Sequence, residues 1–312
     1  MKQIIKPQRL AAGSTVGLVA PAGFMEPERI DRIICNLEKR GYKIKAGEFL
    51  YNKRGYLAGA DCDRAEDINS MFENKNISAV VCIRGGYGTP RILEQVDYEC
   101  IEKNPKILIG YSDITALLLS VHKKTGLLTF HGPMAASEMF EGKDDYSLMY
   151  FKALLEYGAS SIDILNPYGH CLSILSEGSA SGRLTGGNLS LICSTLGTPF
   201  EIDARGKLLF LEDVGEEPYR VDRMLAQLKL AGKLRDAEGV ILCSFSGCEA
   251  EDKTKSLELR EVFEDYFAGC GKPVIQGYMI GHCTPNISVA IGAKAYINTC
   301  RLIFSINEAC VV

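Results

Sequence analysis

The chain is predicted to be an α/β protein of two domains, the first a parallel sheet covered by helices. Three observations carry this expectation. Its 312 residues are more than one domain of the usual ~100–200 residues needs, and enough to bury a core without disulfides or metals. Short apolar β-type runs alternate with helical stretches through the first half, the pattern of strand–helix–strand units. Hydrophobic residues make up 46% and charged residues 24%, which excludes the disordered and coiled-coil classes.

Taken in order, residues 15–20 (TVGLVA) read as a first strand, followed by the turn Pro21-Ala22-Gly23 and a helix over residues 29–39. A second unit begins at Tyr42. Residues 77–83 (ISAVVCI) form an apolar strand that ends in Arg84-Gly85-Gly86-Tyr87-Gly88. Residues 106–110 (KILIG) run straight into Tyr111-Ser112-Asp113, and the next helix, 114–124, stops at Thr125-Gly126, as a glycine C-terminal signal predicts. A helix over 146–157 closes a first domain of residues 1–157. Residues 158–182, rich in Gly, Ser, Asn and Pro, are expected to be a linker. The second domain, 183–312, has β-type runs at 207–211, 239–244 and 301–306 and helices at 221–230 and 256–267. There is no internal repeat.

Charge and composition narrow the function. Thirty-five Lys and Arg against 39 Asp and Glu leave a net charge of -4 with no basic block, so no nucleic-acid partner is expected. No apolar run approaches the ~18–20 residues of a membrane span, and Lys2, Lys6, Pro7 and Arg9 interrupt the opening, so neither a membrane anchor nor a secretory segment is expected. The 12 cysteines are scattered singly from Cys35 to Cys310 without a C-x-x-C pair. They are read as reduced, buried small hydrophobes in a cytoplasmic protein with neither metal nor cofactor.

Ser112 is the sharpest chemical signal. It lies where an apolar strand turns abruptly into a helix, a geometry that lifts a serine hydroxyl above the sheet and aims the following N–H at an attacked carbonyl oxygen. The local pattern is G-Y-S-D-I, not G-x-S-x-G, and on this segment alone helix capping by Ser112 is the plainer account. A serine nucleophile needs a base, and the chain has four histidines: His122, His131, His170 and His282. His282 follows Gly281 among small, turn-forming residues, although a structural role suits any one of the four. An orienting acid is available where the 207–211 strand ends in Glu212-Asp213, the end at which α/β folds carry catalytic groups. A solvated loop paired with Arg220 and Arg223 is the plainer account. Gly85 and Gly86 end another strand and leave room for a substrate to approach the backbone.

In order along the chain, VGLVAP (16–21), RGGYG (84–88), GYSDIT (110–115), HGP (131–133), GGNL (186–189), LEDVGE (211–216) with PYRVDR (218–223), and Gly281-His282 resemble the LD-carboxypeptidases, serine peptidases of bacterial cell-wall recycling. The resemblance implies a Ser-Glu-His triad of Ser112, Glu212 and His282 and an oxyanion hole from the N–H groups of Asp113 and Gly85. It implies a doubly wound N-terminal domain of the class I glutamine amidotransferase type, a swivelling C-terminal β/α domain, a homodimer, and a cleft between the domains. The implied reaction removes the C-terminal D-alanine from a cytoplasmic murein tetrapeptide through an acyl-enzyme, with no cofactor. Substrate contacts are expected from Gly86, and from Arg84 and Arg183 by position and charge. Two alternatives accompany this. A related branch hydrolyses peptide-nucleotide antibiotics such as microcin C and stacks the base on aromatics including tryptophan; this chain has no tryptophan, though tyrosine also stacks. The other is a non-catalytic muropeptide-binding module, against which the intact Ser, Glu and His argue.

Overall fold

The computed structural model describes residues 2–312. Five strands come first: β1 (Thr15–Val19), β2 (Lys43–Ala46), β3 (Ala79–Cys82), β4 (Ile107–Gly110) and β5 (Thr129–His131). Then follow β6 (Ile162–Asp163), β7 (Ser173–Ser176), β8 (Ser179–Asn188), β9 (Lys207–Val214), β10 (Gly239–Ser246), β11 (Val274–Gln276), β12 (Val289–Ile291), β13 (Lys294–Asn298) and β14 (Ile303–Ile306).

The first sheet runs β12-β5-β4-β3-β1-β2, with β1 to β5 parallel. Its central strands β3 and β4 are buried at every residue, as strands covered by helices on both faces must be. The covering helices include Pro27–Lys39, Asp61–Glu73 and Thr115–Thr125. Pro27 suits a first helical position, and Ile30, Ile33 and Leu37 turn one stripe of that helix inward. The order 2-1-3-4-5 reverses direction between β1 and β3, and a doubly wound sheet opens a crevice beyond its carboxyl ends at such a point. Those ends carry Pro21-Ala22-Gly23, Arg84–Gly88 and Tyr111-Ser112.

The second sheet is mixed and eight-stranded, β6-β14-β13-β8-β9-β10-β11-β7. Here the expected division needs correcting. Residues 158–182 are not a plain connection: β6 pairs with β14 and β7 with β11, so this segment supplies both edges of the second sheet. The return is equally unexpected, because β12 leaves the second half and pairs antiparallel with β5 in the first sheet. The cysteines also divide differently from expectation. Cys82, Cys193, Cys243, Cys248 and Cys310 are buried, whereas Cys35, Cys62, Cys171, Cys270 and Cys300 are exposed; all are free thiols. No helix of the described residues is long and apolar enough to cross a membrane.

Candidate active site

β4 ends at Gly110, where a side chain would press into Ile114, so only glycine lets the chain double back into the helix. Tyr111 is still extended at φ -152°. Ser112 then takes φ +63°, a left-handed conformation that L-residues seldom hold. A 3₁₀ turn, Ser112–Ile114, leads into the helix Thr115–Thr125. This is the sharp elbow read from the sequence. The Ser112 side chain lines a cleft of about 310 Å³ together with Arg84, Gly85, Gly86 and His282.

Gly85 lies against the elbow: a Cβ there would stand 2.8 Å from Ser112 Cβ and 3.6 Å from the Asp113 nitrogen. Among the described residues the Gly85 N–H donates to no backbone acceptor. Asp113 occupies the first turn of a 3₁₀ helix, where N–H groups have no partner of their own. Both amides are therefore free to donate to an anion beside Ser112. The turn that carries Gly85 is pinned from behind by Arg64, which is 1% exposed and donates to the carbonyls of Pro21 and Gly88. The Asp113 carboxylate accepts the Thr89 N–H at 2.8 Å, tying the two loops together.

The second half of the site comes from the second sheet. Glu212, fully buried in β9, accepts hydrogen bonds through Oε2 from the ring Nδ1 of His282 (2.7 Å) and from its backbone N–H (3.2 Å). Gly281 takes φ +104°, and any side chain there would overlap the Glu212 carboxylate. The His282 carbonyl accepts from the hydroxyls of Ser244 and Ser246 at the end of β10. Because a carboxylate only accepts, the proton of the neutral ring sits on Nδ1 and the lone pair of Nε2 is left over. His282 shares the cleft with Ser112 but makes no hydrogen bond to it here, a common looseness in unliganded sites. The Tyr111 ring stands edge-on to His282 with centroids 5.0 Å apart.

A second imidazole flanks the acid. His131 is fully buried at the end of β5, with Nε2 3.8 Å from Glu212 Oε1, and neither of its nitrogens nor that oxygen has a hydrogen-bond partner. Burial pushes the Glu212 carboxyl up, but His131 and His282 together outweigh it and hold the group down at about 2. Asp213 turns the other way and accepts from Asn188 Nδ2 (3.0 Å) and from the N–H and hydroxyl of Ser190.

Arg183 does not reach this cleft. It pairs with Glu308, donates to the Gly292 carbonyl, and lines a separate cavity with Lys2, His122 and Lys207. Arg183 opens the β8–β9 ladder opposite Lys207, whereas Glu212 sits five residues further along opposite Asn188, a separation of about 17 Å along a strand. His122 is bonded to the Leu127 carbonyl and His170 is exposed, both away from the elbow. Four features escaped the sequence reading: the tether through Arg64, the serine pair behind His282, the juxtaposition of His131 with Glu212, and Arg29, which also lines the cleft. Only His131 had a visible signal, the His131-Gly132-Pro133 motif.

Residues 16–132 match the LD-carboxypeptidase N-terminal domain and residues 181–297 the LD-carboxypeptidase C-terminal domain. The chain belongs to the LD-carboxypeptidase family. Ser112 lies in the first matched LD-carboxypeptidase domain, and Glu212 and His282 lie in the second. A probable murein peptide carboxypeptidase of Bacillus subtilis is 48% identical over 298 residues, covering 94% of this chain and 92% of that protein. Among solved structures, a muramoyltetrapeptide carboxypeptidase from Oxalobacter formigenes matches with a TM-score of 0.83 at 26% identity, over 94% of this chain and 98% of the other. The wild-type apo form of the microcin C7 self immunity protein MccF, known from Escherichia coli, matches with a TM-score of 0.91 at 26% identity, over 99% and 100%. This LD-carboxypeptidase is thus a hydrolase of a serine peptidase family with the two-domain α/β fold of those relatives.

Proposed function

We propose that the enzyme hydrolyses the L,D-amide bond that releases the C-terminal D-alanine of murein tetrapeptides, using Ser112 as nucleophile, His282 as base and Glu212 as orienting acid. The observation that carries this reading is the 2.7 Å bond from His282 Nδ1 to a buried Glu212, with His282 in the same cleft as the left-handed Ser112. Nε2 of His282 takes the Ser112 proton as Oγ attacks the amide carbon. The oxyanion is received by the N–H groups of Gly85 and Asp113. Collapse breaks the C–N bond, and the imidazolium returns its proton to the departing amine. A water then gives a proton to His282, attacks the ester carbon and frees the tripeptide, while Ser112 recovers its proton. The names of the Bacillus and Oxalobacter relatives support murein peptides as the substrate class. On this reading the enzyme works in the cytoplasm as a homodimer.

The test is incubation of the full chain with a monomeric murein tetrapeptide and, separately, with a peptidyl-adenylate, each followed by mass spectrometry. The tetrapeptide is expected to lose one alanine, and Ser112→Ala to lower the rate ~10⁴-fold or more. Cleavage of the peptidyl-adenylate alone would replace this reading with the immunity-type one, and a Ser112→Ala enzyme at half the wild-type rate would end both.

A further inference from the structure

The cleft in front of Ser112 has a one-sided charge. Two guanidinium groups, Arg29 and Arg84, line it, and no Asp or Glu side chain does. Arg84 is held by neutral acceptors only, the carbonyls of Gly85 (3.1 Å) and Phe24 (3.3 Å), so its charge is fixed in place without being neutralised. Arg29 lies in the first turn of the helix Pro27–Lys39, the positive end of the helix dipole, where an anion is favoured and a cation is not. Of the acids around it, Glu26 at the N-cap pairs with Lys53 and Glu141 pairs with Lys143, while Glu28 stands beside it in the same turn; among the described residues Arg29 itself makes no salt bridge. A third donor faces the same space: the Ser137 hydroxyl lines the cleft, its oxygen is buried, and it has no hydrogen-bond partner.

We propose that Arg29, Arg84 and Ser137 form an anion subsite that receives the free carboxylate of the residue being released, with Arg29 as the specificity-determining cation. The inference rests on the peptidase reading above and adds to it a reason for cleavage at the chain end. In a peptide cut at its last bond, the carboxylate lies two bonds beyond the scissile nitrogen, so its partner must share the small cleft with the nucleophile. A cation set against the preference of its helix start, beside a second cation held only by neutral carbonyls, is what a site for an incoming anion requires. A guanidinium also fits a carboxylate as a planar fork, which a lysine does not.

The experiment uses the full chain and a stem tetrapeptide ending in D-alanine, supplied as the free acid and as the C-terminal carboxamide. Wild type is expected to prefer the acid. Arg29→Gln should raise KM for the acid about tenfold or more, the scale of one charge-assisted hydrogen bond, with kcat nearly unchanged and the amide handled as before. Arg29→Lys should lie between the two. An equal loss on both substrates, or an undiminished preference for the acid, overturns the subsite. Should wild type cleave neither substrate, the peptidase reading fails, and calorimetric titration with D-alanine alone decides the subsite: binding lost in Arg29→Gln supports it, and equal or absent binding overturns it.

Discussion

Glu212 and Asp213 are neighbours whose side chains serve opposite faces of β9, one turned to His282 and the other to Asn188 and Ser190. Glu212→Gln keeps the size and removes the charge that favours an imidazolium, so kcat/KM should fall ~10⁴-fold, as a triad-acid amide does in a well-studied protease. Asp213→Asn should cost far less activity, its loss appearing as a lower unfolding temperature where the link to Ser190 weakens. A kcat/KM comparison of the two folded variants checks this. At this scale the legible residues were those inside ordered motifs: Ser112, Glu212 and His282 stand in runs whose neighbours announce a turn or a strand end. Arg29 was not legible, because on a helical repeat it is one more surface charge. Arg183 misled for a related reason, since charge and chain position say nothing about which end of a strand a side chain occupies.

At the scale of elements, the β4 elbow stores a definite cost. A non-glycine residue at φ +63° gives up about 1–2 kcal/mol relative to its ordinary conformations. Ser112→Gly should therefore unfold at a higher temperature than Ser112→Ala although both are inactive, and calorimetry of the two variants side by side reads the difference. Equal unfolding temperatures would mean that the turn is not strained. The apolar central strands were plain in the sequence because burial on both faces demands an unbroken run, as in β3 and β4. The short edges β6, β7 and β12 were not. β6 and β7, two and four residues within a Gly-, Ser- and Pro-rich stretch, carry no periodicity, and edge strands are kept short to discourage unwanted pairing; β12 is apolar and buried but only three residues long.

For the whole molecule, two buried groups set opposing pH slopes. Burial lowers His122 to about 4 and raises Asp67 to about 6. A histidine depressed in the folded state stabilises fully above its ordinary value near 6.5 and loses that contribution as pH falls towards 4. A raised carboxyl does the reverse, stabilising the fold as pH falls from 6 towards 4. Each full swing is about 3 kcal/mol and is read as the difference between a variant and wild type in urea titrations between pH 4 and 6.5. His122→Phe should then gain stability relative to wild type on acidification, and Asp67→Asn should lose it; slopes of the same sign in both variants would refute the account. The strand β12 carries a consequence of another kind. The chain leaves the first sheet at His131 and comes back to it at Val289, which lies opposite that same histidine. During synthesis the open edge of β5 must wait for almost the entire polypeptide, so the serine elbow is made long before the first sheet can be completed, and Glu212 and His282 emerge in between. A protease that nicks residues 158–182 would likewise leave two pieces clasped through each other's strands, not two separable domains.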